Sequence, residues 1–285
     1  MYMKYVNFFG NTISKLIVGD NPFTGHSYIE DVAGKQDMLR YYTAENIKAT
    51  LREIEASGIT TMLPLADPYI VRLLQEYEYE GGNLKYIWQP YMPMRQDVSM
   101  MQLKALKGTI GIYHQGTTTD MLYKQGNIEQ IKENIKMWRD GLEVPVGIAS
   151  HQPNVITQCE EEEWGHDFVL ASLHNGTRWK NGEKSGFITG ETKAHTVFSP
   201  LDRPLMLDVL KNIEKPVLAY KIFGGGQILL NKTEDEVRNK IKDVYEEVFS
   251  QLKPDDAAIM GVWQRDKNQV KENVDIFNEW AKEHE

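Results

Sequence analysis

From Lys15 onward, short runs of β-branched and aliphatic residues alternate with longer stretches whose apolar positions return every three or four residues. Strand-like runs followed repeatedly by a helical period predict strands joined by helical crossovers, and so a parallel sheet. The strands fall at 14–20 (SKLIVGD), 59–65 (ITTMLPL), 84–93 (LKYIWQPYMP), 109–116 (TIGIYHQG), 145–153 (PVGIASHQP), 167–176 (DFVLASLHNG), 217–220 (VLAY) and 257–261 (AAIMG). Helices are expected at 43–58, capped by Thr43 and ended by Gly58, and at 68–79, capped by Asp67 with Pro68 in its first turn. Others fall near 98–107, 128–140, 154–163, 200–214 and 234–252, the last capped by Thr233. Eight strand–helix units without a break in composition predict one α/β domain over 1–285, an (α/β)8 TIM barrel. Residues 21–42 read as a long polar loop. Residues 177–197, rich in Gly, Lys and Thr, read as an insertion or lid after the sixth strand. No GxGxxG follows the first strand, which argues against an open dinucleotide-binding sheet.

Composition narrows the class. At 285 residues, 41% of them apolar, the chain can bury a full core, and no apolar run approaches the roughly 18 residues of a membrane helix. The start, MYMKYVNFFGN, has no apolar core of signal length and no cleavage pattern, so a cytoplasmic protein is expected. The balance of 32 basic against 41 acidic residues argues against nucleic acid as a partner and leaves a small molecule. Cys159 is the only cysteine, which excludes an intrachain disulfide and a thiolate metal cluster. The glutamates at 160–163 should raise its pKa and keep it unreactive.

In a barrel of this kind the chemistry sits at the carboxyl ends of the strands. Those positions hold Asp20 and Asn21, Asp67, Gln89, His114, His151, His174 with Asn175, Lys221, and Gln264 with Arg265. Three histidines end the fourth, fifth and sixth strands. Their ordinary pKa suits them to acid/base catalysis or to polarising a substrate oxygen. Converging with Asp20 or Asp67, they could instead hold a divalent metal, although no HxH or HExxH spacing marks such a site. Lys221 can act as a base or Schiff-base former, or stay charged as an anchor for a carboxylate or phosphate. Gly224, Gly225 and Gly226 let a backbone approach a ligand closely. With Arg265 they suit an anion, while Asn21, Gln89 and Asn175 suit substrate hydroxyls.

Four segments, SKLIVGDNPF, EASGITTMLPLAD, VPVGIASHQPNVI and DDAAIMGVWQRDKNQVKENVDIF, resemble the corresponding parts of aldo-keto reductases. The resemblance implies an (α/β)8 barrel holding NADPH without a separate Rossmann domain, with Trp263, Gln264, Lys267, Gln269 and Asn273 at the cofactor-binding end. It also implies an Asp and a Tyr after the second strand, a Lys ending the third and a His ending the fourth. Here PLADPY offers Asp67 and Tyr69, and YHQG offers His114. The lysine position reads Gln89, so the cation that would lower the tyrosine pKa is missing. The leading expectation is an enzyme acting by acid/base chemistry on a small polar substrate, sugar-like, acidic or phosphorylated. An NADPH-dependent oxidoreductase is the alternative, and a ligand-binding barrel without catalysis is the second.

Overall fold

The computed structural model describes residues 2–29, 32–90, 96–175 and 197–284. Eight parallel strands close into a barrel: β3 (Leu16–Gly19), β4 (Thr61–Leu63), β5 (Lys85–Trp88), β6 (Thr109–His114), β7 (Val146–Ser150), β8 (Phe168–Ser172), β9 (Val217–Tyr220) and β10 (Ala257–Gly261), which pairs back onto β3. These are the eight predicted strands, in order. No helix among the described residues is long and apolar enough to cross a membrane.

An antiparallel hairpin that the hydrophobic pattern does not announce, β1 (Tyr5–Phe8) and β2 (Asn11–Ser14), precedes the barrel. Phe9 and Gly10, both at positive φ, make its two-residue turn. Along β1 the side chains alternate, so Val6 and Phe8 are buried while Tyr5 and Asn7 are exposed. Val6, Phe8 and Ile13 join the residues inside the barrel, including Ile17, Leu63, Ile87, Leu170, Leu218 and Ile259. Phe8 meets Phe168 edge-on at 5.0 Å. Because the hairpin adds two strands, the sixth barrel strand is β8 in chain order. The expected insertion at 177–197 follows it, and all but Val197 of that segment lies outside the described residues.

Ten α-helices are described: α1 (Lys35–Tyr41), α2 (Ala44–Ala56), α3 (Pro68–Tyr79), α4 (Gln96–Lys104), α5 (Gly116–Lys124), α6 (Ile128–Leu142), α7 (Pro153–Glu161), α8 (Asp202–Leu210), α9 (Glu234–Phe249) and α10 (Gln269–Glu283). Thr43, Asp67 and Thr233 each accept a backbone N–H at a helix start, and Thr233 forms a capping box with Glu236. The larger of the two apolar cores includes residues from the outer strand faces, such as Val18, Ile112 and Ala219, and from the helices, such as Leu51 and Ile135. Helices α1 and α5 fall where the sequence pattern predicts loops. The second of them, α5, bears on the site.

Candidate active site

The strands decide which strand-end residues can meet. Successive side chains of a strand point to opposite faces. In β6, Tyr113 belongs to the cluster inside the barrel, so His114 turns outward beneath the helices. There its Nδ1 lies 2.8 Å from Thr119 Oγ1 and its Nε2 lies 3.1 Å from Asn134 Nδ2, beside Trp138. Burial holds its pKa down to about 4. The strand-end pattern predicts that three histidines converge; the structure corrects this, because His114 faces away from the mouth. Among the described residues no group of three or more His, Cys, Asp or Glu is placed to hold a metal ion.

What the mouth does contain is a chain of three side chains. Asp120, on α5, accepts from Ser150 Oγ at 2.5 Å, and its other oxygen lies 2.8 Å from Nδ1 of His151. With Nδ1–H directed at that carboxylate, Nε2 is left as the acceptor. The ammonium of Lys221 donates to it across 2.8 Å, and the Tyr220 hydroxyl lies 3.3 Å away. Gly116, at the start of α5, makes the approach possible: a Cβ there would stand 2.9 Å from the Tyr220 oxygen and 3.2 Å from His151 Cε1.

Lys221 is held in an uncommon way. Its backbone lies at φ 59°, a left-handed conformation that costs a residue with a Cβ energy. Its Nζ stands over the rings of Tyr28, Phe198 and Tyr220 at 5.2, 5.4 and 5.4 Å. Burial lowers its pKa to about 7, with Asp120 working against the fall. The aromatic faces also favour the ammonium. His151 is held below its ordinary value by burial first, then by Lys221, against the pull of Asp120. At neutral pH this leaves a neutral imidazole beside an amine that exchanges its proton readily.

A second acid lies two strands away, across β10. Asp20, at the end of β3, is buried, and its Oδ2 accepts the amide of Leu65 at 2.7 Å. Burial raises its pKa to about 7, with Asp67 adding to the rise. Asp67 itself caps α3 through the amide of Ile70. Tyr113, within electrostatic reach of Asp20 and Tyr28, donates to Gln89 Oε1 at 2.9 Å. Tyr28 is hydrogen-bonded to the Asn21 side chain. Burial pushes the phenols of Tyr28, Tyr113 and Tyr220 upward, so each remains a protonated donor. Between Asp20 and Lys221, β10 ends on Gly261, which is exposed with nothing within 4 Å of where a side chain would begin.

His174 sits beside this group. Its Nδ1 lies 3.3 Å from the Ser199 carbonyl, and its buried Nε2 has no hydrogen-bond partner among the described residues. Burial and Arg203 hold its pKa down to about 4. Its neighbour Asn175 donates its amide to Asp202. Gly224, Gly225 and Gly226 all have positive φ, and at Gly225 a Cβ would come within 2.5 Å of the Tyr28 ring. The amides of Gly224 and Gly226 close turns onto Lys221 and Phe223, and between them Gly225 packs against Tyr28.

The residues assigned to a cofactor or anion at the last helix are engaged with one another. Trp263 donates its indole N–H to Asp266, and its amide donates to Gln269 Oε1. Gln264 accepts the amide of Val270, and Asn273 accepts from the Tyr245 hydroxyl. Arg265 pairs with Asp266 and Lys267 with Glu272. Both cations are thus paired with carboxylates at the surface. Cys159 lies buried on α7, away from the mouth, and burial pushes its thiol up to about 12.

Sequence reasoning misses Asp120, Tyr28, Tyr113, Tyr220 and Phe198. Tyr113 and Tyr220 can be found by carrying the inward alternation of their strands to the last residue. Tyr28 and Asp120 lie in segments whose local order the sequence pattern does not reveal.

No protein-family model and no curated protein matches the chain. Solved structures do. Gox0644, solved in complex with NADPH, is 10% identical, with a TM-score of 0.58 over 99% of this chain and 93% of its own. An aldo-keto reductase from Bacillus halodurans is 10% identical, with a TM-score of 0.57 over 99% and 96%. The dihydropteroate synthase of Yersinia pestis is 12% identical, with a TM-score of 0.55 over 99% and 100%. Proteins named for different chemistries match over nearly the whole chain at this low identity. What they share with it is the barrel, and fold alone does not carry function.

Proposed function

We propose that this barrel is an enzyme that moves protons to and from a small hydroxylated substrate, with Lys221 as the acid/base group and His151 and Asp120 as its relay. The observation that carries the reading is the 2.8 Å contact between Lys221 Nζ and His151 Nε2, with Asp120 behind the ring and three aromatic faces around the amine. Groups that titrate near neutral pH in a partly buried mouth suit general acid/base catalysis, and both Lys221 and Asp20 meet that condition. The donors and acceptors around them, Tyr113 with Gln89 and Tyr28 with Asn21, suit hydroxyl groups. Arg265 and Lys267 already face carboxylates, so a neutral sugar-like compound fits better than a phosphorylated one. The cytoplasm is the expected compartment.

Solvent exchange tests this across a set of candidate compounds. The protein is incubated in deuterium oxide with small hydroxyaldehydes, hydroxyketones and sugar acids, and deuterium at carbon is followed by NMR. Stereospecific exchange at one carbon is expected, and Lys221→Met should abolish it. Equal exchange by that variant, or none with any compound, would sink the reading.

Reduction with NADPH is the second reading, supported by the neighbour solved with that cofactor. The residues at the last helix are bonded among themselves and Gln89 stands where aldo-keto reductases have lysine, which weighs against it. Saturable quenching of tryptophan fluorescence by micromolar NADPH would revive it.

A further inference from the structure

The inference rests on the reading of Lys221 as the reactive group of this mouth. We propose that Lys221 bonds covalently to its substrate, forming an iminium with a small aldehyde or ketone that carries hydroxyl groups.

The geometry is that of an amine set up to add to a carbonyl. A lysine kept for charge pairing would face a carboxylate; Lys221 instead faces Nε2 of a neutral imidazole at 2.8 Å, and the carboxylate of Asp120 lies behind that ring. Amine addition needs such an acceptor, because the nitrogen must shed a proton as it bonds to carbon. The aromatic faces at 5.2–5.4 Å border the nitrogen and limit the directions it can take. On the neighbouring strand, Gly261 has nothing within 4 Å of a built Cβ, so the rim of the mouth is open at that position. The left-handed backbone of Lys221 holds the side chain at the rim, and strain of this kind collects at functional sites.

The step balances within these groups. The lone pair of the neutral amine forms the C–N bond while the carbonyl π pair moves to oxygen. His151 Nε2 takes a proton from the nitrogen and returns it to that oxygen, giving a carbinolamine. A second proton, from the Tyr220 hydroxyl with replacement from solvent, lets the C–O bond break. Water leaves, and the nitrogen lone pair closes the C=N bond as a cationic iminium. One amine hydrogen and one solvent proton end in the water, and nothing is oxidised or reduced. The iminium withdraws electrons from the adjacent carbon. Its C–H or C–C bond can then break, with Asp20 as the further acid/base group. The hydroxyl groups follow from the polar lining. An apolar carbonyl compound would desolvate Tyr113, Gln89 and Asn21 without using the hydrogen-bonding capacity they carry beyond their internal contacts.

Reductive trapping decides it. The full chain is incubated at pH 7 with glyceraldehyde, dihydroxyacetone or hydroxyacetone, reduced with sodium borohydride, and mapped by peptide mass spectrometry. For at least one compound the expected result is one stable adduct per chain at Lys221. Its rate should be on the order of 100-fold above that of any surface lysine, whose amine is almost wholly protonated at that pH. Adducts scattered over surface lysines with no preference for Lys221, for all three compounds, would overturn the inference. A parallel pH series of acetic anhydride labelling at Lys221 separates the causes of such a failure. A midpoint near 7 without an adduct removes the covalent step alone. A midpoint near 10 removes the acid/base reading with it. Both measurements use the unmodified chain and do not depend on a variant that folds.

Discussion

Nε2 of His151 lies 2.8 Å from Lys221 Nζ, and it can accept that proton because Nδ1 of the same ring is committed to Asp120. The carboxylate therefore acts on the lysine through the ring and through space, and in both ways it favours the protonated amine.

Replacing the acid should shift the amine. With burial as the main cause of the low lysine pKa and Asp120 opposing it, Asp120→Asn should move the labelling midpoint of Lys221 below that of the unmodified protein. Competitive acylation across a pH series reads both midpoints. An unchanged midpoint in the variant would mean that the carboxylate does not sense the lysine.

Asp20 should set a pH-dependent stability. Its folded pKa is raised to about 7, so the folded chain retains a proton that the unfolded chain has lost above about 4. The stability it contributes is full below that lower value and is lost as pH rises through 7. Asp20→Asn should therefore stabilise the protein at pH 8, on the order of 3 kcal/mol, and leave it nearly unchanged at pH 4. Lys221 behaves oppositely: its low folded pKa means that stability lost on burying the charge is regained as pH rises from 7 towards 10. Urea midpoints for Asp20→Asn at the two pH values decide, and an equal difference at both would refute the assignment.

His114 should prove separate from the chemistry. His114→Leu removes the partner of Thr119 and Asn134 in a buried place, a loss of about 1–3 kcal/mol in stability. The labelling midpoint of Lys221 should not move. A shift would place His114 in contact with the mouth after all.

Gly225 and Tyr28 should behave as one unit. An added Cβ meets the Tyr28 ring at 2.5 Å on a backbone at φ 59°, so Gly225→Ala should cost about 1–3 kcal/mol. Only part of the clash should vanish when Tyr28 is also alanine, because the ring atoms go while the Tyr28 Cβ, 2.7 Å from the added one, stays along with the backbone strain. Strict additivity of the two melting-temperature losses would show that the ring does not rest on the glycine.

Much of the barrel can be read from the sequence because strand periodicity is local: the eight strands and the caps Thr43, Asp67 and Thr233 stand where it puts them. The hairpin escapes such a reading because its strands are only four residues long and its turn is Phe-Gly, without the Asn or Asp that usually marks one. Helix α5 is hidden by its threonines, poor helix formers, and Asp120 is hidden with it. Of the site, Lys221, His151 and Asp20 are legible from their place at strand ends. Their grouping is not, since a one-residue change of parity sends Tyr113 inward and His114 outward. The positive φ of the glycine loop is legible from its sequence, but its neighbours are not: His174 lies against Gly224 and Tyr28 against Gly225.

The left-handed backbone of Lys221 makes glycine the one substitution that relieves it rather than straining it further. Lys221→Gly would leave a slot walled by Tyr28, Phe198 and Tyr220, with His151 Nε2 at its floor, shaped for a primary amine. Such a slot can be refilled from solution. Short alkylamines should restore to the truncated protein part of whatever reaction the lysine performs. The dependence of that rescue on amine length would measure the depth of the site without a bound ligand.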